Sequence, residues 1–220
     1  MSDMNQDPSA PTARRPLSSR NAGWAKSLAS RLVAAEVTPN QISRASIGFA
    51  ALGTFLFALA PLGPGILEWL LLLLAAGAIQ ARLICNLLDG MVAIEGGQAE
   101  RDGPFWNEAP DRVADLLLLG GAGIAAGNPA LGFLTAVLAV TTAYIRELGR
   151  AEGLPPDYSG PMAKPHRMAA LTIGTVVAAF SPFGTTAEGV LSLTLWIIVA
   201  GTAATIARRS LRLIAALQAR

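Results

Sequence analysis

Asn86, Asp89, Asp111 and Asp115 are the residues of this chain whose types and spacing could do chemistry. NLLDGMVA, residues 86–93, closes one apolar run, and PDRVADLLLLGGAG opens the next. Residues three or four apart share a helix face, so Asn86 and Asp89 form one polar edge and Asp111 and Asp115 another. Carboxylates gathered in apolar surroundings repel one another and take up protons unless a cation joins them. Oxygen donors from two neighbouring helix ends suit a hard divalent cation, Mg²⁺ or Mn²⁺. Gly90 would let a backbone or a phosphate approach closely, and Ala93 continues that small face one turn on. The plainer alternative is that each carboxylate is a solvated interface residue, with Asp111 favoured by the dipole of a helix beginning there. Asp115 lies a full turn deeper, where ionisable groups usually mark function.

The elements that would position these residues are membrane helices. Of 220 residues 52% are hydrophobic and 15% charged, and mean hydropathy is +0.46. Soluble domains carry nearer a quarter charged residues. Apolar runs near 43–60, 66–88, 111–127, 130–146, 168–183 and 189–207 approach the roughly 20 residues that a span requires. These predict an all-α integral membrane protein with six transmembrane helices in one domain over 21–220. Before them, residues 21–37 set Trp24, Leu28, Leu32 and Val33 at helical spacing with Lys26 and Arg31 between, the pattern of an amphipathic interfacial helix. Residues 1–20, polar and rich in Pro, Ser and Arg, read as a disordered tail without a signal-peptide apolar core. The single Cys85 excludes an intrachain disulfide and a cysteine zinc site, and the single His166 excludes a histidine metal centre.

Charge decides the orientation. With six spans and both termini cytoplasmic, the outer loops fall near 61–65, 127–130 and 181–188, and none of the 17 Lys and Arg residues lies in them. The basic residues sit in tails, inner loops or inner helix ends, with Arg82 a turn deeper. The positive-inside rule therefore puts both termini and the carboxylates at the cytoplasmic face of a cell or inner membrane. The pI near 9.1 fits attraction to anionic lipid headgroups and makes no case for nucleic acid.

Asn86-x-x-Asp89-Gly90-x-x-Ala93 followed by Asn107-x-x-x-Asp111-x-x-x-Asp115 resembles the two-part signature of the CDP-alcohol phosphatidyltransferases, D-x-x-D-G-x-x-A-R and G-x-x-x-D-x-x-x-D. The resemblance extends to the interfacial helix, the Thr38-Pro39-Asn40 entry to the first span and the six-helix count. This copy departs from the pattern. Asn86 stands for the first aspartate, Ile94 for the arginine and Asn107 for the glycine, and the spacer 95–106 is longer. The resemblance implies two divalent ions, Mg²⁺ or Mn²⁺, on the diphosphate of a CDP-linked lipid or alcohol, and attack by a small alcohol, in some branches phosphorylated, that expels CMP. It further implies Asp89 and Asp111 as metal ligands, Asn86 as a weaker one, Asp115 as base near a metal, and Thr38, Pro39, Asn40, Gly90 and Ala93 around the nucleotide. A homodimer is also implied by the family.

Glu108, three residues before Asp111 on the same face, is a candidate to supply the charge Asn86 lacks; its plain alternative is a first-turn glutamate beside an Asn107 cap. Glu95 is a weaker candidate. Arg112, Arg146, Arg150, Lys164 and Arg167 are candidates for binding phosphate on donor or acceptor, against the alternative that the positive-inside rule alone explains them. Gly120, Gly121 and Gly123 serve close helix packing better than a phosphate loop. Residues 95–106, with Phe105 and Trp106, read as a loop capping the site. Two other functions compete: an impaired relative that still binds CDP-lipid, suggested by Asn86 and Ile94, and a cation-coupled transporter, for which broken helices or paired halves are lacking.

Overall fold

The structure, a computed structural model, describes residues 22–63, 65–97, 101–181 and 186–220; the tail 1–20, Asn21 and parts of three loops lie outside the described residues. Seven α-helices follow one another: α1 (Gly23–Ala34), α2 (Pro39–Leu59), α3 (Ile66–Glu95), α4 (Gly103–Ala125), α5 (Pro129–Ala151), α6 (Lys164–Phe180) and α7 (Ala187–Gln218). The all-helical expectation holds among the described residues. Four helices, α2, α3, α5 and α7, are long and apolar enough to cross a membrane. The other two expected spans fall short for separate reasons. α4 carries Glu108, Asp111, Arg112 and Asp115 along its length, and α6 has 17 residues, about 26 Å against the roughly 30 Å of a hydrocarbon core.

The helices reach further at the charged end than their apolar runs do. α3 continues to Glu95, and α4 begins at Gly103, two turns before Asp111. Asp111 is therefore not at a helix N-terminus, and Asn107 sits inside the helix rather than capping it. The cause is that opening turns need a suitable start and not apolarity: Pro104 occupies the first turn, where its missing N–H costs nothing. Pro110 lies further in and denies the Trp106 carbonyl its helical partner. The expected 95–106 loop shrinks accordingly, with Phe105 and Trp106 in the first turn of α4.

The helices α2 to α7 form a ring in the order α2, α3, α6, α7, α5, α4, and α4 also touches α7 across it. Phe57, Leu72, Ile79, Leu118, Leu171 and Leu195 fill the centre, fully buried. Small residues set the spacing. A Cβ on Gly123 would stand 2.5 Å from the Gly132 Cα, and one on Gly121 would stand 2.9 Å from the Thr54 Cα. The glycine run thus lets backbones meet within the bundle. α1 lies across the charged end of α3, burying Ala25 and Ala29 beside Ile42, Cys85 and Met91. Leu28, Leu32 and Val33 are partly covered there, whereas Trp24 is exposed. The expected stripe is thus shifted toward the small residues, because only alanine permits α1 to approach so closely.

Candidate active site

α2, α4 and α6 begin, and α3, α5 and α7 end, at one end of the ring, and the motif residues gather there. Thr38 caps α2 through a reciprocal pair of bonds: its hydroxyl accepts from the Gln41 N–H at 3.3 Å, and the Gln41 side chain accepts from the Thr38 N–H at 3.1 Å. Pro39 follows in the first turn, buried. Asn40 then donates to Asp102 at 3.0 Å, and the Trp106 indole donates to the other Asp102 oxygen at 2.8 Å. Arg44 stacks 4.7 Å from the Trp106 ring centre. The hydrogen bonds from Trp106 and Asn40 hold the exposed Asp102 carboxyl below its usual range. Asp102 was not anticipated from the sequence, yet it ties the Thr-Pro-Asn segment to the start of α4.

Deeper in, the two polar edges of the motif meet. Asn86 donates to Asp111, joining α3 to α4. Asp89 is buried and accepts from the Ser43 hydroxyl at 2.9 Å and from the Gly90 N–H at 2.6 Å. Asp111 is bound by Lys164 from α6 and by Arg82 at 3.1 Å, with Arg112 at 3.6 Å. Asp115 is wholly buried, 2.9 Å from Arg167 and 3.7 Å from Arg82. Ala93 follows one turn beyond Gly90, half-buried.

Arg82 is the residue that sequence reasoning underused. It has no exposed surface, and one nitrogen bridges the two aspartates of α4. Its depth, a turn inside every other basic residue, was the signal available. Glu108 is placed otherwise than a replacement for the missing aspartate would be: it pairs with Arg146 at 2.6 Å and Arg112 at 3.8 Å on the outer rim. Among the described residues Arg150 pairs with Glu147 and is largely exposed, and Glu95 is exposed at the end of α3. The exposed His166 lies against the Pro161 carbonyl.

Beside this network, a cavity of about 190 Å³ lies between the ends of α5 and α7, lined by Arg146, Asp157, Arg209 and Arg212 among apolar neighbours. Arg209 spans it by donating to the Thr142 and Ser159 carbonyls, each at 2.9 Å. Burial pushes the Asp157 carboxyl up, but hydrogen bonds from Ser159 and the charges of Arg212 and Arg209 hold it below its usual range.

Whether this end suits a divalent ion can be judged from its donors. Among the described residues no three Asp, Glu, His or Cys side chains already converge as an ion's ligands. Asp111 and Asp115 are engaged by cations, whereas Asp89 has only neutral donors. The residues therefore fit an ion held by one or two carboxylates and completed by substrate phosphates and water, as Mg²⁺ commonly is, rather than a preformed cage.

No family model matches the chain. A curated relative, the phosphatidylinositol phosphate synthase of Streptomyces avermitilis, is 29% identical over 132 residues, 56% of this chain and 54% of the relative. The match thus spans about half the length of that protein. Among solved structures, Mycobacterium tuberculosis phosphatidylinositol phosphate synthase with CDP-DAG bound superposes with a TM-score of 0.72 at 22% identity, covering 87% of this chain and 94% of that one. Its complex with manganese and citrate gives a TM-score of 0.72 at 21% identity over 86% and 88% of the two chains. These likenesses show the fold. Such synthases are CDP-alcohol phosphatidyltransferases, so the resemblance expected from the two-part motif is borne out.

Proposed function

We propose that the chain is a membrane-embedded CDP-alcohol phosphotransferase, moving a phosphatidyl or substituted phosphate group from a CDP-linked donor to a small alcohol and releasing CMP. The observation that carries it is that Asp111 and Asp115 of α4 are held against Arg82, Lys164 and Arg167, with Asn86 of α3 bonded to Asp111 and Asp89 buried three residues further along α3. Charges at that depth are expensive to desolvate and seldom present without a task. The relative's identity and the CDP-DAG carried by a structural neighbour support a CDP-linked lipid as donor.

In this reading α4 and α6 complete six spans with α2, α3, α5 and α7, α1 lies in the interface, and the charged end is cytoplasmic. The capped Thr38-Pro39-Asn40 segment, held by Asp102, flanks the nucleotide. Asp89 would hold a divalent ion, Mg²⁺ or Mn²⁺, whose charge would offset that of the diphosphate. Lys164, Arg82 and Arg167 line the cluster and supply fixed positive charge. One Asp115 oxygen accepts from Arg167, while the other is buried without a hydrogen-bond partner. That oxygen, 3.7 Å from the Arg82 guanidinium, takes the proton of the acceptor hydroxyl. The hydroxyl oxygen then bonds to the phosphorus bearing the lipid, and the bond to CMP breaks with its electron pair leaving on CMP.

The test is CMP release by purified protein given CDP-diacylglycerol and a panel of alcohols, with and without a phosphate group, in Mg²⁺, Mn²⁺ or EDTA. Release that needs both an alcohol and a divalent ion is expected. No release with any alcohol, alongside intact CDP-lipid binding, would instead favour the impaired relative, a reading motivated by Asn86 and by the cations already seated on Asp111 and Asp115. A transporter finds no support in α2–α7, each of which is one continuous helix.

A further inference from the structure

We propose that this site takes a single external divalent cation, at Asp89, and that the buried Arg82 guanidinium does the work of a second. The proposal rests on the phosphotransfer reading above and departs from the two ions that the family resemblance implies.

The position of Arg82 comes first. It lies one turn before Asn86 on α3, so its side chain shares the face that carries the motif. Its terminal nitrogen stands 3.1 Å from Asp111 and 3.7 Å from Asp115, between the two carboxylates of α4. A guanidinium does not lose its proton in a protein, so this is a permanent charge of +1. Its Nε and other terminal nitrogen are buried without hydrogen-bond partners. Buried donors of that kind are normally satisfied. A bound phosphate oxygen would satisfy them.

The three carboxylates are unequal in what they still need. Asp111 has Arg82 and Lys164, and Asp115 has Arg82 and Arg167. Asp89, equally a buried carboxylate, accepts only from a hydroxyl and a backbone N–H, with no Lys or Arg nitrogen within 4.0 Å among the described residues. A desolvated negative charge without a cationic partner is the unstable member of such a set. An incoming cation gains most there.

Charge points the same way. Asn86 supplies no charge where the family pattern has an aspartate, and Arg82 sets a permanent positive charge between Asp111 and Asp115, so one divalent ion meets a need for which that pattern implies two. A second such ion would have to enter beside Arg82, Lys164 and Arg167, and would meet repulsion from all three.

Counting bound Mn²⁺ tests this. Full-length protein in detergent, saturated with CDP-diacylglycerol, would be dialysed to equilibrium against Mn²⁺ and read by electron paramagnetic resonance. One ion per chain is expected, with the six-line signal of an isolated Mn²⁺. Asp89→Asn should lose that ion, and the double variant Arg82→Gln/Asn86→Asp should gain a second, broadened by coupling to the first. Two coupled ions in the unmodified protein would overturn the inference while leaving the phosphotransfer reading intact. No protein-bound ion, with CDP-diacylglycerol nonetheless bound, would overturn the metal reading itself. If the double variant fails to fold, the count on the unmodified protein still decides.

Discussion

The two ends of the helix ring are built on opposite principles. At the far end, among the described residues, the charged side chains are Glu68 and Glu188, and the helices are held by backbones in contact, as at Gly123 and Gly132. At the other end, every described Lys and Arg is found, and helices are joined through ion pairs that cross from α3 and α6 to α4 and from α4 to α5. Packing of small residues stabilises without reactive groups. Buried pairs such as Arg167 with Asp115 cost several kcal/mol of desolvation per ion, and an apolar replacement of both partners is often no less stable. The difference teaches that the charged end is shaped by a task other than stability.

Substitutions at each end can break or sharpen that contrast. The largest effect is expected from Asp115→Asn, which removes the proposed proton acceptor and should lower the CMP release rate about 100- to 10,000-fold. Arg167→Met should come next. It strands Asp115 in the core and should destabilise the fold by about 3–5 kcal/mol, read by thermal unfolding in detergent. Pairing it with Asp115→Leu should recover much of that loss while activity stays absent, which separates a charge kept for function from one kept for folding.

At the far end the order of effects should reverse. Gly123→Ala places a methyl 2.5 Å from the Gly132 Cα, and forced overpacking of this kind costs about 1–3 kcal/mol. The melting temperature should fall while the turnover of the folded fraction stays close to that of the unmodified protein. A loss of turnover equal to that of Asp115→Asn would erase the distinction between the ends.

The smallest effect concerns Asp102. Its carboxyl is held below the usual range by Trp106 and Asn40. The ordering it gives is therefore complete above the unfolded pKa, and fades as pH falls through the lower folded value. Trp106 emission should shift in that acid window, and Asp102→Asn should remove the shift. An unchanged titration in the variant would assign it to another group.

Much of this was legible in the sequence because apolar runs and a spaced motif are local signals. The six runs each became a helix, and Asn86 of the first polar edge meets Asp111 of the second. What escaped depends on partners distant in sequence. The turn 89–95 opens on Asp89 and Gly90 and closes on Glu95, and 103–110 carries two prolines with Asn107 and Glu108, so the apolar runs stop short of them, yet a helix extends through both. Arg82 gave away its depth but not its role, because that role depends on the register between α3 and α4. Glu108 shares a face with Asp111, but Arg146 on α5 draws it to the rim. Asp102 lay in a segment read as a loop, and its bond to Asn40 spans 62 residues.

The most direct measurement compares unmodified protein and Asp89→Asn for CMP release from CDP-diacylglycerol across a Mn²⁺ titration. Release by the unmodified protein that rises with Mn²⁺, and its absence in Asp89→Asn at every concentration, is predicted. Equal release by the two proteins would contradict the assignment of the carboxylate cluster as the phosphotransfer centre.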